Sequence, residues 1–499
     1  LPWTLPGFAR AGGFELGANG TEALGRGGAF TAKADSPLAL EYNVAGFGQQ
    51  RGTRMLFDSN LIFSTYTFQR AGGDSMGPYA LVSDHAQQPF YAPWFGLSTD
   101  FGFFRHWTFA IGAFGPSSVG QRDYGVFAAT GANRGAASRY DIVSTNLLIV
   151  QPTFVVAYQP NPIIDIGLSV QQVSAVMNLA SSTYVTQSLP AFPNSSVCSM
   201  QAEVQGCDAL TRVQVQSFNN FALQAGVLVH PIGGLHIGFN VKSAVNLGFS
   251  PITANGTVSA GEPAYLSGLS VALGDAAATS HMNATFTTQL PWELRFGIRY
   301  AFTKWGRELA DIEFDATYEM WGEINGANSQ LTLQDPPMLV NQGNPVTIQI
   351  MHNYHDTFSL RLGSALNEPI GSETSLTFRL GALYDSSATN DAYTRLDFDT
   401  LAKLGGTMGM GVNVRGLTLN LAYAYLQSLT RTVTDGALLP IDGITGQPLM
   451  INGQPAAAVN NGVYSGHNHI LSIGLSFLFD EMARGHYWLA RRGNNPQNS

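Results

Sequence analysis

No stretch of this 499-residue chain approaches the ~18–20 consecutive apolar residues of a membrane-spanning helix, although its mean hydropathy is close to zero at +0.03. Charge is scarce. Asp, Glu, Lys and Arg make up 12% of the residues, about half of the roughly 25% found in soluble domains. There is no basic run, and a net charge of −9 lacks the electrostatic footprint of a nucleic-acid binder, so no nucleic-acid partner is expected. Cysteine is limited to Cys198 and Cys207, close together in one polar segment. In an oxidising envelope these two are expected to close a small disulfide loop. Leu1-Pro2-Trp3 has neither the basic region nor the apolar core of a signal peptide, so the numbering is expected to begin at a mature N-terminus.

What the chain does have is glycine (55 residues) and alternation. Leu290, Trp292, Leu294, Phe296, Ile298 and Tyr300 share one parity, with Pro291, Glu293, Arg295, Gly297 and Arg299 between them. After Thr303–Arg307 the pattern resumes with Ile312, Phe314, Ala316, Tyr318 and Met320, interleaved with Asp311, Glu313, Asp315, Thr317 and Glu319. Successive side chains of a strand point to opposite faces, so this reads as an antiparallel hairpin with one apolar and one charged face. Pairing with residue numbers summing to 610 sets Arg299 opposite Asp311 and Arg295 opposite Asp315. A soluble sheet would bury the apolar face. A membrane barrel turns it to lipid and the charges into the lumen.

The rest of the chain selects the barrel. Fourteen alternating segments follow one another, near 53–68, 91–103, 106–115, 141–159, 163–175, 217–230, 234–249, 284–302, 309–324, 353–367, 373–385, 402–415, 417–429 and 465–479. Tight turns such as Pro160-Asn161-Pro162 and Pro231-Ile232-Gly233-Gly234 alternate with long polar connections near 69–90, 116–140, 176–216, 250–283, 325–352, 386–401 and 430–464. Short periplasmic turns and long outer loops have this rhythm, and an even strand number puts both chain ends on the short-turn side. Trp292 and Tyr300, eight residues apart on one face, are separated by roughly 20 Å along the membrane normal at ~3.3 Å per residue and a ~40–45° tilt, the spacing of two aromatic girdles. The last segment alternates to a terminal aromatic, Phe479, and about twenty residues follow it. The expected organisation is therefore an all-β transmembrane barrel at 53–479 in the bacterial outer membrane, preceded by a compact segment at 1–52 and followed by a periplasmic tail at 480–499, which leaves room for a periplasmic partner.

Chemistry-bearing motifs are weak. Gly25-Arg26-Gly27-Gly28 lacks the G-K-[ST] of a phosphate cradle, and Gly115-Pro116-Ser117-Ser118-Val119-Gly120 is not a G-x-S-x-G elbow. His467 with His469, and His352 with His355, lack a third metal ligand nearby. No cofactor, metal or catalytic residue is expected. In the third segment Gly112, Gly115 and Pro116 supply the bulge and the missing N–H that would break strand pairing; alternatively Gly115-Pro116 simply begins the outer loop.

Residues 17–29, Ala34-Asp35-Ser36, Tyr42-Asn43-Val44-Ala45-Gly46-Phe47, Phe114-Gly115-Pro116, Leu290-Pro291-Trp292, Tyr318-Glu319-Met320-Trp321 and Leu380–Asp385 together resemble the outer-membrane transporters of long-chain fatty acids and aromatic hydrocarbons (FadL/TodX type). Asn43, Ala45 and Gly46 carry the hatch motif; Val44 replaces the family's proline. The resemblance implies a fourteen-stranded barrel whose N-terminal segment plugs the lumen as a hatch. It also implies passive uptake of hydrophobic ligands, with sideways release into outer-membrane lipid through a kink in the third strand. Candidate pocket residues are Phe14, Leu16, Leu24, Phe30, Leu40, Tyr42 and Phe47 on the hatch, because a plug facing a charged lumen needs few large apolar groups of its own. Arg295 and Arg299 are candidates for a ligand carboxylate, since a guanidinium offers two parallel hydrogen bonds. The alternatives are a general porin, a structural or adhesive surface barrel, or a barrel enzyme.

Overall fold

The computed structural model describes residues 17–481 apart from 75, 116–120, 129–133, 185–202, 204–206, 262–279, 323–328, 336–342, 372, 399–400 and 444. Fourteen antiparallel strands form one sheet. They are β1 (Arg54–Arg70), β2 (Phe90–Thr99), β3 (Trp107–Phe114, resuming at Gln121–Asp123), β4 (Ser144–Asn161), β5 (Ile164–Tyr184), β6 (Asp208–Ile232) and β7 (Leu235–Lys242, then Ile252–Gly261). Then come β8 (Ser280–Thr288, then Glu293–Lys304), β9 (Arg307–Glu319, then Ser329–Leu333), β10 (Val346–Ile350, then Thr357–Pro369), β11 (Thr374–Asp385), β12 (Lys403–Val414), β13 (Leu417–Ser428, then Arg431–Val433) and β14 (Gly462–Leu478). Each pairs with its sequence neighbours, and β14 pairs back onto β1 from Arg54 opposite Leu478 to Arg70 opposite Gly462, which closes the barrel. Closure removes the edge that would otherwise expose unpaired backbone groups to lipid. Among the described residues no helix is long and apolar enough to cross a membrane.

Which way the alternating faces turn is settled on β8. Glu293, Arg295 and Arg299 are 6%, 6% and 3% exposed, while Phe296, Ile298 and Tyr300 are 42%, 41% and 42% exposed. The same holds around the wall, where Phe57, Ile111, Phe154, Leu168, Phe221, Phe239, Phe314, Leu362, Leu421 and Ile473 all face outward. A continuous belt of exposed large apolar side chains on a closed barrel is a lipid-facing surface.

The β8–β9 register differs from the expected one by two residues. Arg299 stands opposite Glu313 and Arg295 opposite Thr317, so paired numbers sum to 612. Trp305 (φ 53°) and Gly306 (φ 71°) form a two-residue turn of left-handed conformation, and the register shifts between Phe302 and Thr303. Such a turn suits the twist of a hairpin, and the extra residue of the bulge restores the even offset. An even offset leaves every side chain on its expected face. The segments near 176–216 and 250–283 are also not wholly loop: β5, β6, β7 and β8 continue through parts of them as paired strands projecting past the apolar belt.

Inside the barrel sit residues 17–52, as two short helices, α1 (Thr21–Gly25) and α2 (Ala39–Tyr42), and a 3-10 turn at Val44–Gln49. The last is started by Asn43, whose side chain accepts from the Ala45 N–H at 3.1 Å. α1 packs against β12, β13 and β14, and the 3-10 turn against β4, β5 and β6. Ala18, Leu24, Leu38, Leu40, Val44 and Phe47 join Leu56, Trp94, Phe114, Val155, Leu426 and Ile470 in one core spanning the lumen.

Candidate functional site

Charged side chains on the inner wall hold the inner segment. Arg26, 0% exposed, donates to Asp311 at 2.8 and 3.1 Å and to Glu313 at 2.9 Å. Beyond it the chain turns without forming helix, and its donors find wall carboxylates. The N–H groups of Phe30 and Thr31 each reach Asp315 at 2.8 Å, and those of Ala32 and Lys33 reach Glu313 at 2.7 and 3.1 Å. On the other side Asp58 accepts from Thr21 N–H at 2.8 Å. Buried donors left unpaired would each cost about 1–3 kcal/mol, so the charged wall is the complement of the inner segment's irregular backbone.

Along β3 the register against β4 changes. Phe114 pairs with Gln151 of β4, and the next register partners are Gln121 and Asn146. The β3–β4 register therefore differs by two residues between these two described stretches. On the opposite flank the β2–β3 ladder ends at Phe95 and Ala113, although β2 continues to Phe90 against β1. Pro93 in that stretch and Pro152 opposite Ala113 have no N–H to offer a ladder. Gly115 is required here, because a Cβ on it would lie 2.3 Å from the Ile149 carbonyl oxygen.

The inner segment packs against this part of the wall. Asn19 donates to the Gly115 carbonyl at 2.7 Å and to Glu41 at 3.2 Å. Glu41 also accepts from the Trp94 indole N–H at 3.3 Å, and Trp94 stacks on Phe114 with ring centroids 6.0 Å apart. Leu40 lies against Gly112 and Gly96, so close that a Cβ on Gly112 would meet its δ-methyl at 2.3 Å.

On the lumen side of Leu147 and Ile149 there is an apolar cavity of about 60 Å³, lined also by Val173, Met177, Val215, Ile252 and Phe286. Among the described residues its lining contains no basic or acidic side chain. Tyr354 and Phe398 complete it. Behind them His352 stacks on Tyr354 (4.8 Å between centroids) and pairs with Asp397 at 2.7 Å, while Arg395 joins Asp397 to Asp141. Burial pushes Asp397 up, but the adjoining His352 and Arg395 overcome it and hold the carboxyl down at about 2.

The residues singled out from the sequence fall as follows. Leu24, Phe30, Leu40, Tyr42 and Phe47 are buried where the inner segment meets the wall, and of these Leu40 lies against Gly112 and Gly96. Arg299 is shared between Asp311, at 2.8 Å, and Glu308. Arg295 forks onto Glu293 and lies over the Tyr42 ring at 5.2 Å. Asn43 also donates to the Thr31 carbonyl at 2.9 Å, and Gly46 packs on Ala34. Cys207 is buried and disulfide-bonded. Phe14, Leu16, Pro116, Cys198 and the tail from residue 482 lie outside the described residues. The cavity itself went unread in the sequence. Its signal was Leu147-Leu148-Ile149-Val150, apolar on both parities where a wet lumen calls for alternation.

Residues 4–452 match the profile of the family described as outer membrane protein transport protein (OMPP1/FadL/TodX). Among solved structures the chain is similar to a Pseudomonas aeruginosa FadL homologue (TM-score 0.70, 14% identity, covering 94% of this chain and 100% of that one). It is also similar to the Pseudomonas putida toluene transporter TodX (0.61, 15%, 93% and 99%) and the Ralstonia pickettii toluene transporter TbuX (0.61, 15%, 93% and 100%). At these identities the likeness is one of fold. No curated protein sequence matches the chain.

Proposed function

The chain belongs to the OMPP1/FadL/TodX family of outer-membrane transport proteins, and on that premise we propose that it takes up long-chain fatty acids or hydrocarbons passively and releases them sideways through an opening at β3. A hydrophobic solute crosses the polar, saccharide-covered outer leaflet poorly and gains by being covered with apolar walls until it reaches hydrocarbon. The observation that supports the reading is the juxtaposition at Leu147 and Ile149: one side of these residues faces the apolar cavity, and they lie between two described stretches of β3–β4 pairing whose registers differ by two residues. Residues 17–52 share one apolar core with the inner wall, and in this reading the route from cavity to lipid runs through the wall. With no basic group in its lining, the cavity suits a neutral hydrocarbon or the acyl part of a fatty acid. At about 60 Å³ it holds a fragment of either, roughly two waters' worth of space, so passage requires Tyr354 and Phe398 to move. Leu40, Asn19 and Glu41 act in this reading as the inner latch on the opening, and Arg295 and Arg299 hold the hatch.

The test is paired flux and conductance in one reconstituted bilayer. A labelled long-chain fatty acid and toluene are expected to equilibrate through the intact protein while ionic current stays at the closed-barrel level. Gly115→Val, which drives a side chain into the Ile149 carbonyl, should reduce that flux about tenfold, the factor for ~1.4 kcal/mol, with the barrel still folded. Open-channel current through the intact protein, or unchanged flux in Gly115→Val, would overturn the lateral route.

A further inference from the structure

Above the lipid-facing belt of β4–β6 the outer surface carries a second recess, of about 350 Å³. Its floor is the outward face of three strands, at Asn146 of β4, Asn178 of β5, and Arg212 and Gln214 of β6; Gln121 of β3 and Gln87, from the segment before β2, wall it in. Gln87, Gln121, Asn178, Arg212 and Gln214 are exposed. The strand parity is that of Leu148, Val150 and Phe154, which are 51%, 36% and 49% exposed and look into lipid. The recess therefore opens outward, where the apolar belt stops, and not into the lumen.

The chemistry of these groups is unusual for a surface strand end. Five carboxamides and one guanidinium converge there, and none of the six side chains has a hydrogen bond or ion pair among the described residues. The second arginine of the recess, Arg122, is committed to Asp84 at 3.4 Å and lies over the Tyr66 ring. Asp123, which also lines it, caps the Gly125 N–H at 2.9 Å. One free guanidinium beside one carboxylate leaves the recess close to neutral, which disfavours a ligand of several unscreened charges. Carboxamides offer paired donor and acceptor groups that match vicinal hydroxyls, and a guanidinium takes one phosphate through two hydrogen bonds.

We propose that this recess seats the phosphorylated saccharide head of an outer-leaflet glycolipid, with the sugar hydroxyls on Asn146, Asn178 and the glutamines, one phosphate on Arg212, and the acyl chains running down the Leu148–Phe154 face of the wall. The lipid source follows from position: the recess is continuous with the apolar belt, so a ligand with head and tails covers both at once. This rests on the outer-membrane location of the barrel and not on the transport reading. A bound glycolipid would also stand beside β3, next to Gln121.

The test uses the full-length protein in nanodiscs, with lipid A as the probe, and native mass spectrometry as the readout. One lipid A per barrel is expected to survive gas-phase activation that strips the other lipids. Arg212→Glu and the pair Asn178→Leu with Gln214→Leu should each lower its retention at least about tenfold, the worth of one charge-assisted hydrogen bond. Arg212→Lys should keep most of it. Folding of every variant is read independently from the heat-modifiable gel shift of the closed barrel. Phosphatidylglycerol retained as well as lipid A would overturn the saccharide assignment. Lipid A from which both phosphates have been removed, retained as well as the parent, would overturn the role of Arg212. Equal retention in folded variants would remove the site altogether.

Discussion

Arg26 is the residue on which the inner segment's position depends most. Its guanidinium is wholly buried and touches Asp311 and Glu313 from two directions. Asp311 keeps a second partner in Arg299 at 2.8 Å, but Glu313 loses its only charged contact within salt-bridge distance among the described residues when Arg26 goes. Breaking a buried pair by removing one partner costs about 3–5 kcal/mol, more than the intact pair contributes, because an uncompensated charge stays behind. Arg26→Met is therefore expected to leave the barrel closed but to loosen residues 20–33. Hydrogen exchange of the amides of Ala32 and Lys33, which bond Glu313, is the measurement. Adding Glu313→Gln should restore part of the protection, since it removes the stranded charge. Unchanged exchange in Arg26→Met would show that apolar packing alone holds the segment. Arginine 26 could be read in the sequence only as part of a glycine-rich run; its partners lie 285 and 287 positions away, a separation that no local pattern encodes.

At the scale of strands and loops, legibility follows the range of the forces. Parity is local, so the apolar and charged faces of β8 and β9 were readable from Phe296, Ile298, Arg295 and Arg299 alone. Register was not, because it turns on the Trp305–Gly306 turn and on one bulged residue. Around β3 only Gly115 carries a signal in the sequence, whereas Pro93 and Pro152, on the strands either side, acquire meaning only once their neighbours are known. The cavity was missed because every inward position was assigned to water, although Leu147 and Ile149 are as apolar as the lipid-facing Leu148 and Val150. The outer cap belongs to this scale too. His352 between the two parts of β10, Asp397 and Arg395 of the loop before β12, and Asp141 before β4 form one buried chain of charges. The Asp397 carboxyl is held down at about 2, against about 3.9 in an unfolded chain. A depressed folded-state value contributes stability that is complete above the unfolded value and is lost as pH falls through the folded one. Amide protection of Leu396 and Phe398 is thus expected to be constant from neutral pH to about 4 and to fall between about 4 and 2. In Asp397→Asn it should already be low at neutral pH and change little on acidification. A wild-type transition near pH 6 instead would assign the cap's titration to another group.

The whole molecule sets two closed systems one inside the other. The wall is complete without its contents, since the β1–β14 seam runs over seventeen residue pairs and involves no hatch residue. The hatch, by contrast, takes its backbone partners and counter-charges from the wall. Removing residues 1–52 therefore asks which loss matters. Asp58, Asp311, Glu313, Asp315, Arg361 and Arg379 would exchange buried partners for water, and at the dielectric constant of water a charge pair 4 Å apart interacts by only about 1 kcal/mol. A wetted, mixed-sign bore is thus stable enough to persist, and the apolar belt still holds the barrel in the membrane. The deleted protein is expected to keep its heat-modifiable gel shift and to conduct ions as a water-filled pore, at least tenfold above the intact protein at the same voltage. Any selectivity for hydrophobic solutes over hydrophilic ones of equal size should disappear, because a water column replaces the apolar contacts of Leu40, Trp94 and Phe114 beside β3. A folded, truncated barrel that conducts no better than the intact one would mean that the outer loops, and not residues 17–52, close the bore.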